Sequence, residues 1–345
     1  MQTQTDVEGA FRVAGVPPGD YYVFASVPGY VQPMNVVQAA IEAGADPHKL
    51  LPGVPTVHVS PDRESLADVS IDRGAAISGR VVWEDGSPVT KANVVVVAAK
   101  GEKPLPPQYS MIVMASIGAG GLLAVTDDLG RFRIAGLAPG DYYVKAMLQT
   151  QSQLSMQNGK MNFNMNRLAA SKPLIIFAPA AFHQASAKVV TLTAGQNLQD
   201  EDIAINLIGL HSVSGRITSA EDHHGINSGS VTLTDANDKQ FSRAASANDD
   251  GSFTVTFVPP GTYNLKVEDA ADTVPSTKKP KGLVNFASDE PVRSYEDGKQ
   301  QVIVADDDVT GQNIELTPSK TVKKPMDIGG IFGAVGSSEP SSASH

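Results

Sequence analysis

Residues Gly130 to Ala146 read Gly-Arg-Phe-Arg-Ile-Ala-Gly-Leu-Ala-Pro-Gly-Asp-Tyr-Tyr-Val-Lys-Ala, and related versions of this stretch occur at two other places in the chain. The two relatives are Gly9 to Ala25 and Gly251 to Val267. Their first glycines stand at 9, 130 and 251, a constant spacing of 121 residues. A repeat this regular is typical of tandem copies of one domain.

Each copy has the sequence pattern of a β-hairpin. One alternating strand leads into a Pro-Gly turn, and a second follows, as at Tyr142, Val144 and Ala146. Side chains alternate between the two faces of a strand, so these three positions share one face. The sequence therefore predicts a core face with recurring aromatic members, namely Phe11, Phe132, Phe253, Tyr21, Tyr142 and Tyr263.

The Pro-Gly turn gives each copy a defined corner. Proline fixes φ, and Gly19, Gly140 and Gly261 can take the positive φ that such turns often require. A side chain at those glycines is expected to cost about 1 kcal/mol or more through strain. The tyrosine that follows is interpreted as a core ring whose hydroxyl finds a partner at the domain edge, and not as a catalytic group.

Strand-like segments flank the hairpins. Opening strands are predicted at Ile77–Val81 and Val213–Ile217. Each copy also has two closing segments, which lie at 57–59 and 69–71, at 189–192 and 203–205, and at 302–304 and 314–316. About seven short strands per copy suit a two-sheet β-sandwich. The predicted fold class is all-β, with tandem seven-stranded Greek-key β-sandwiches, short helical connectors such as 36–51, and a disordered C-terminal tail.

The copies divide the chain into predicted domains. A truncated β-sandwich without its opening strands covers 1–72, a complete β-sandwich with an insertion at 103–121 covers 73–208, and a second complete β-sandwich covers 209–317. We refer to these as the first, second and third repeats. Residues 318–345 are rich in Lys, Gly, Ser and Pro and are predicted to be disordered. Because the first repeat lacks opening strands, we expect the sequence to be a fragment or to start further upstream.

Composition restricts the partners and the compartment. The 345 residues carry a formal net charge of -10, which argues against a nucleic-acid partner. Cysteine is absent, so disulfides and thiolate metal sites are excluded. No apolar run reaches the length of a membrane span, and the start lacks the pattern of a signal peptide. Residue 1, however, falls inside a repeat and not before one.

The chain lacks the sequence motifs of common catalytic and metal chemistry. None of the seven histidines belongs to His-Glu-x-x-His, and no Gly-x-Ser-x-Gly, phosphate loop or dinucleotide fingerprint occurs. The Asp pairs at 127–128 and 249–250 stand before hairpin strands, where Asp caps a turn. The run Glu221–His224 is interpreted as a solvated loop and not as a metal site. We expect no catalytic residue, no metal and no cofactor.

The candidate ligand-binding residues are outward aromatic side chains, which could stack on a sugar ring. Tyr22, Phe24 and Tyr143 occupy outer strand positions. The alternative is that these rings cover loops or a neighbouring domain. The Met-rich connector 148–173 also has two interpretations. Its methionines could contact a partner, or they could pack the loop itself.

The residue pattern resembles a known family. Similarity to the carboxypeptidase regulatory-like domain lies in Ile-Ser-Gly-Arg-Val at 77–81, Asp-Gly-Ser-Pro at 85–88, the hairpin motif at 127–142, and Val-x-Leu-x-Ala-Gly at 190–195. The resemblance spans residues 1–317. It implies a transthyretin-like β-sandwich, grouped with carbohydrate-binding-like folds and similar to the B-type repeats of bacterial surface adhesins, and it implies no catalysis.

The resemblance also implies a location and a role. Large exported proteins of soil bacteria string such domains together, so we expect an extracellular, periplasmic or cell-surface protein. Its expected function is that of a non-enzymatic scaffold or adhesion module whose partner is a polysaccharide or another envelope protein. Two alternatives are a carbohydrate-binding protein and a set of accessory domains of a peptidase or outer-membrane receptor.

Overall fold

The computed structural model describes residues 1–31, 56–61, 63–99, 123–148, 154–157, 160–163, 172–274, 284–285 and 289–322. The chain divides into two compact units, Met1–Leu148 with Ile175–Asn206, and Gln149–Leu174 with Leu207–His345. Within the described ranges the regular structure is β-strand apart from one 3₁₀ turn at Gln184–Ser186. The all-β prediction is therefore confirmed. The connector at 36–51, the insertion at 103–121 and the tail beyond 322 lie outside the described residues.

The strands follow in chain order. The strands up to Ile205 are β1 Gly19–Tyr22, β2 Thr56–Val59, β3 Ala75–Trp83, β4 Asn93–Ala98, β5 Leu123–Val125, β6 Arg131–Leu137, β7 Gly140–Leu148, β8 Leu154–Gln157, β9 Lys160–Phe163, β10 Leu174–Phe177, β11 Val190–Leu192, β12 Asn197–Leu198 and β13 Ile203–Ile205. Those that follow are β14 His211–Ser219, β15 Ser228–Asp235, β16 Ser242–Ser246, β17 Ser252–Val258, β18 Gly261–Val274, β19 Val284–Asn285, β20 Glu290–Ser294, β21 Gly298–Val304 and β22 Ile314–Leu316.

The second repeat contains two sheets. One has the order β10-β7-β4-β5 with β11 also on β7, and the other joins β12, β13 and β6 to β3. Strand β6 runs antiparallel to β3, whereas the closing strand β13 runs parallel to it. Alternate residues of these strands are buried, among them Ile77, Val94, Phe132, Val144 and Ile203. The opening, hairpin and closing strands therefore stand where the sequence predicted them.

The third repeat has the same arrangement. Strands β16, β15, β18 and β20 form one sheet with β21 on β18, and β17, β14 and β22 form the other. The closing strand β22 again runs parallel to the opening strand β14. Both repeats thus have one five-stranded sheet around the tyrosine strand, and their other sheets have three strands in common. In the same compact unit, the connector that follows β7 contributes the hairpin β8–β9, and β19 pairs with β9.

One strand pair keeps an identical register in all three repeats. The strand with the recurring tyrosine pairs antiparallel with the first closing strand in each case. The paired positions are Tyr21 with Val57, Tyr142 with Val190, and Tyr263 with Val302. The 121-residue sequence repeat is therefore also a structural repeat.

The first repeat departs from the prediction at two places. Phe11 is 39% exposed, and it lies in no strand, whereas Phe132 and Phe253 are buried on β6 and β17. Residues 69–71 likewise form no strand. The physical reason is the same for both segments. Their counterparts in the other repeats pair with the opening strands β3 and β14, and residues 1–31 and 56–72, as far as described, contain no equivalent of those strands.

A tyrosine hydroxyl closes the hairpin turn in every copy. The hydroxyl donates a hydrogen bond to the carbonyl oxygen four residues earlier, Tyr21 to Pro17 at 2.9 Å, Tyr142 to Ala138 at 2.8 Å, and Tyr263 to Pro259 at 2.8 Å. Burial raises the pKa of Tyr142 and of Tyr263, so both hydroxyls stay protonated and remain donors. The partner of the tyrosine is therefore a backbone carbonyl of the turn itself.

The turn glycines combine the predicted backbone conformation with a close approach of the tyrosine ring. φ is 153° at Gly19 and 159° at Gly140, so these two have the predicted positive φ, whereas Gly261 is not among the glycines with positive φ. A Cβ at these three positions would lie 3.5, 3.6 and 3.3 Å from the ring of the tyrosine two residues later. Glycine therefore leaves room for the tyrosine ring to lie over the turn.

Two other glycines permit close contact between the opening and closing strands. A Cβ on Gly79 would lie 2.3 Å from the carbonyl oxygen of Glu201, and a Cβ on Gly215 would lie 2.0 Å from that of Gln312. Those carbonyls cannot move away easily, because the Glu201 N–H donates to the Ser78 carbonyl at 3.1 Å. Gln312 makes the same bond to Ser214 at 3.0 Å.

The substitution Gly79→Ala should destabilise the second repeat by about 2–4 kcal/mol, because the new methyl group forces β3 away from the segment leading to β13. Trp83 is the only tryptophan of the chain and lies on β3, so its fluorescence reports urea unfolding of this repeat. The control Ser78→Ala should cost less than about 1 kcal/mol. A Gly79→Ala variant as stable as the wild type would contradict the close approach.

Candidate functional site

Two of the three predicted ligand-binding residues lie together on the outer face of β1 and the segment after it. Tyr22 is 52% exposed and Phe24 is 53% exposed. Across the strand pair, His58 Nδ1 lies 2.8 Å from Asp20 Oδ1, and both side chains are exposed. We call Asp20, Tyr22, Phe24 and His58 the outer aromatic face. It combines two open rings with a polar His–Asp pair, which is chemistry that can contact a sugar or a protein surface.

Tyr143 does not join this face. It lies on β7, in the five-stranded sheet of the second repeat, and is half-buried. Its ring meets Phe177 edge-on, with centroids 6.0 Å apart, and Lys145 Nζ lies 5.7 Å from the same Phe177 ring. Trp83 on β3 is half-buried as well. Tyr143 therefore packs against its own sheet over part of its surface.

The acidic pairs before the hairpins act in turns. Asp127 Oδ1 accepts hydrogen bonds from the backbone N–H groups of Leu129 and Arg131, at 2.9 and 2.7 Å. Asp250 Oδ1 accepts from the backbone N–H and the hydroxyl of Ser252, at 2.9 and 2.6 Å. The pKa of Asp250 is lowered by these bonds to Ser252. Within the described ranges, no three His, Asp or Glu side chains converge as a metal site would require.

A polar cluster in the third repeat was not predicted from the sequence. His224 follows β14, and its Nδ1 lies 2.5 Å from Asp222 Oδ1 while its Nε2 lies 3.0 Å from Asp272 Oδ1. Tyr295 donates its hydroxyl to Asp272 Oδ2 at 2.7 Å, and its ring meets the His224 ring edge-on. An ion pair between Arg293 and Glu221, at 3.1 Å, stands beside them. We call these six residues the His224 cluster.

The cluster favours the protonated form of its histidine. Both ring nitrogens face carboxylate oxygens, which accept hydrogen bonds, so a proton on each nitrogen satisfies both contacts. The hydrogen bond to Asp222, followed by the one to Asp272, raises the pKa of His224. The same contact lowers the pKa of Asp222. A doubly protonated ring with both N–H groups engaged cannot serve as a base or a nucleophile, so the geometry favours a structural strut over catalysis.

The strut joins three segments that are distant in sequence. Asp272 belongs to the far end of β18, where this strand pairs with β20 as a ribbon, and Tyr295 follows β20. Asn227 also holds the ribbon, since its Oδ1 accepts from the Thr273 N–H at 2.8 Å and its Nδ2 donates to the Thr273 carbonyl at 3.0 Å. The sequence showed only the local run Glu221–His224. The partners Asp272 and Tyr295 lie 48 and 71 residues further along, and no spacing rule links them to that run.

The fold and these contacts describe a protein class, tandem β-sandwiches whose repeated residues build turns and cores. A family model supports this class and specifies it further. Residues 212–317 match the model of the carboxypeptidase regulatory-like domain. The resemblance seen in the sequence is thus confirmed for the third repeat. A comparison with curated protein sequences returns no match.

Solved structures with some likeness include pilins. A streptococcal ancillary pilin is 11% identical, with 84% of this chain and 88% of the pilin covered and a TM-score of 0.25. The minor pilin of Streptococcus agalactiae is 13% identical, with 73% and 99% covered and a TM-score of 0.27. The Bacillus anthracis TIE protein is 9% identical, with a TM-score of 0.23; the match covers 76% of this chain and 40% of that protein. At such low values the likenesses carry no argument about function.

No helix in the described part of the chain is long and apolar enough to cross a membrane.

The His224 cluster should make the stability of the third repeat depend on pH. The folded-state pKa of His224 is raised, so its contribution is fully present below the ordinary pKa and is lost as pH rises through the folded value. The stability difference between the wild type and Asp272→Asn should therefore shrink between about pH 5 and pH 8. Thermal unfolding across this range measures the difference, and an NMR titration of His224 measures its pKa.

The matched control is Asp269→Asn, an exposed aspartate on β18 outside the cluster. It should leave both the His224 titration and the pH dependence unchanged. An equal effect of the two substitutions would show that His224 responds only to general charge and not to the bond with Asp272.

Proposed function

We propose that this chain is a non-enzymatic array of carboxypeptidase regulatory-like β-sandwich domains, exported from the cell, that serves as a scaffold or adhesion module. The observation that carries the proposal is the chemistry of the recurring residues. Phe132 and Phe253 fill cores, the tyrosines close turns through their hydroxyls, and the glycines permit close packing. The residues that the repeats share therefore build the fold. For this reason we assign the function to positions at which the repeats differ.

The domain boundaries form part of this proposal. We assign the repeats to 1–72, 73–208 and 209–317, with 318–345 as a tail. The common register of the tyrosine strands supports three repeats, and the two compact units are each centred on a complete β-sandwich.

The outer aromatic face is the proposed contact surface for the partner. Tyr22 and Phe24 are both about half exposed, whereas the equivalent positions of the third repeat hold the polar residues Asn264 and Lys266. Exposed aromatic rings are enriched at protein–protein contacts and also stack on sugars. The favoured partner is another envelope protein. The second candidate is a polysaccharide, which would make this a carbohydrate-binding protein. Tyr143 is a weaker candidate for the surface because part of its ring is covered by Phe177.

A third candidate, accessory domains of a peptidase or outer-membrane receptor, has less support in the described residues. It is retained because the matched family is named after the regulatory domain of a carboxypeptidase.

Photo-crosslinking in intact producing cells tests location and partner together. A benzophenone amino acid at position 22 should give a polypeptide adduct, while the same group at position 264, in matching register on β18, should give none. Protease added outside the cells, or to the periplasm after outer-membrane permeabilisation, should digest the chain.

Each other outcome identifies a different function. An adduct that disappears on glycosidase treatment would favour the carbohydrate-binding alternative. A chain protected from protease until the inner membrane is opened would contradict export. Equal adducts at positions 22 and 264 would contradict the assignment of the partner to the outer aromatic face.

A further inference from the structure

Three arginines lie together on the outer face of the β3–β6 strand pair in the second repeat. Arg80 on β3 stands directly opposite Arg131 on β6, and the neighbouring outer pair joins Ser78 to Arg133. Phe132, between the two arginines of β6, is buried, so both arginines point to the other face of the sheet. All three arginine side chains are exposed. We call Arg80, Arg131 and Arg133 the arginine row.

The arginine row is an unfavourable arrangement in the isolated chain. The Arg80 N–H points away from β6, to Asp202 Oδ1 at 2.8 Å, so Arg80 and Arg131 form a pair without mutual backbone bonds. In such a pair the side chains come closest, and like charges directly opposite each other destabilise a sheet. The row also stands out on a chain whose formal net charge is -10. An anionic partner would remove the repulsion.

One carboxylate of the protein already binds to this row. Asp202 Oδ2 accepts a hydrogen bond from Arg80 Nη2 at 3.2 Å, and both side chains remain partly exposed. The side chains of Arg131 and Arg133 have no ion pair or hydrogen bond with the rest of the protein in the described ranges. One described carboxylate thus serves three guanidinium groups, and two of the groups remain available to a ligand.

The first repeat shows which ligand the position of Arg133 accepts. Arg12 stands 121 residues earlier, at the same place in the repeat, and its Nη2 donates to Glu64 Oε1 at 2.6 Å. Counting from the register-matched valines of β2 and β11, Glu64 corresponds to Asn197. Asn197 is exposed on β12 and carries no charge. The second repeat therefore has the arginine but lacks the carboxylate that pairs with it in the first.

The third repeat has no equivalent row. The positions of Arg131 and Arg133 hold Ser252 and Thr254, and the counterpart of Arg80 is Arg216, whose Nε donates to the Asp250 carbonyl at 2.9 Å. The row is thus a feature that distinguishes the second repeat from the third.

We propose that the arginine row binds a polysaccharide that carries carboxylates on its sugar units, with Arg131 and Arg133 each taking one carboxylate. The guanidinium fork matches the two oxygens of a carboxylate, and Asp202 and Glu64 show this pairing within the protein. Because each exposed ion pair is weak, a polymer that repeats its charge suits the row better than a single anion.

The surroundings of the row favour a sugar polymer over an acidic polypeptide. The outer positions beside the arginines on β3 and β6 hold Ser78, Val82 and Ala135, whereas protein interfaces commonly centre on buried aromatic anchors. Ser78 and Asn197 are polar groups that sugar hydroxyls can reach. The row shares no residue with the outer aromatic face, so this site goes beyond the proposed scaffold function and does not depend on it.

The experiment measures binding of fluorescent polygalacturonate oligosaccharides to the full chain by anisotropy. The wild type should bind saturably, and binding should weaken as salt increases, because exposed ion pairs are screened. The combined change Arg131→Gln and Arg133→Gln should weaken binding by about tenfold or more. The matched control, Lys239→Gln with Lys299→Gln, removes two exposed positive charges from the third repeat and should leave binding within about threefold.

A second variant tests the comparison with the first repeat. Asn197→Glu supplies the carboxylate that Glu64 provides there, so it should occupy Arg133 and weaken polygalacturonate binding by about threefold or more. Asn197→Gln adds no charge and should leave binding unchanged. Thermal unfolding of each variant confirms that it remains folded.

Several outcomes would overturn the proposal. These are absence of saturable binding, and equal losses for the arginine and lysine variants. Tighter binding of polyphosphate than of polygalacturonate, at equal charge, would assign the row to a phosphate polymer instead, and tighter binding of polyglutamate would assign it to an acidic polypeptide. A dimer that the arginine changes abolish would assign it to a second copy of this chain. Loss of the position-22 adducts with polygalacturonate binding intact would contradict the scaffold proposal and support the separate site.

Discussion

The hydrogen bond from a tyrosine hydroxyl to the carbonyl four residues earlier is the constraint on which the second and third repeats depend. In the third repeat it joins Tyr263 to Pro259 at 2.8 Å with the tyrosine fully buried. The ring lies over Gly261, the first residue of β18, where a Cβ would lie only 3.3 Å from the ring. One residue thus places an aromatic ring in the core and satisfies a carbonyl that the sharp turn would otherwise leave without a partner.

The other strands take their positions from the strand that begins at this turn. It lies in the middle of its sheet, with β4 and β11 on the two edges of β7, and β15 and β21 on those of β18. The second sheet packs its alternate residues, such as Phe132 and Phe253, into the same core. The far end of β18 pairs with β20 as a ribbon, and the His224 cluster stabilises this ribbon. Strand β1 is the corresponding strand of the first repeat, where it pairs with β2.

The sequence predicted the parts of this fold that repeat and missed those that do not. The constant spacing located the hairpins and closing strands of the second and third repeats, because residues that build a turn or core recur at fixed positions. Pairs between distant residues leave no such signal. Lys188 binds the buried Glu201 at 2.8 Å, while the equivalent positions of the third repeat hold Gln300 and Gln312, which bond to each other. The two repeats thus make a contact at the same place with different residue types, so no sequence motif reveals it. Phe11 was misplaced for a related reason, because burial depends on strands that the pattern of the hairpin does not contain.

The most direct test of this account compares the same substitution, tyrosine to phenylalanine, at positions 21, 142 and 263. Native-state hydrogen exchange of amides in β1, β7 and β18 reports the local stability of each repeat. Loss of the hydroxyl should destabilise β7 and β18 by about 1–3 kcal/mol, since a buried carbonyl loses its partner. In the Tyr21→Phe variant, the local stability of β1 should change by less than about 0.5 kcal/mol, because the hydrogen bond of Tyr21 is exposed to solvent. Unchanged exchange in the Tyr263→Phe variant would contradict the claim that this bond holds the repeat together.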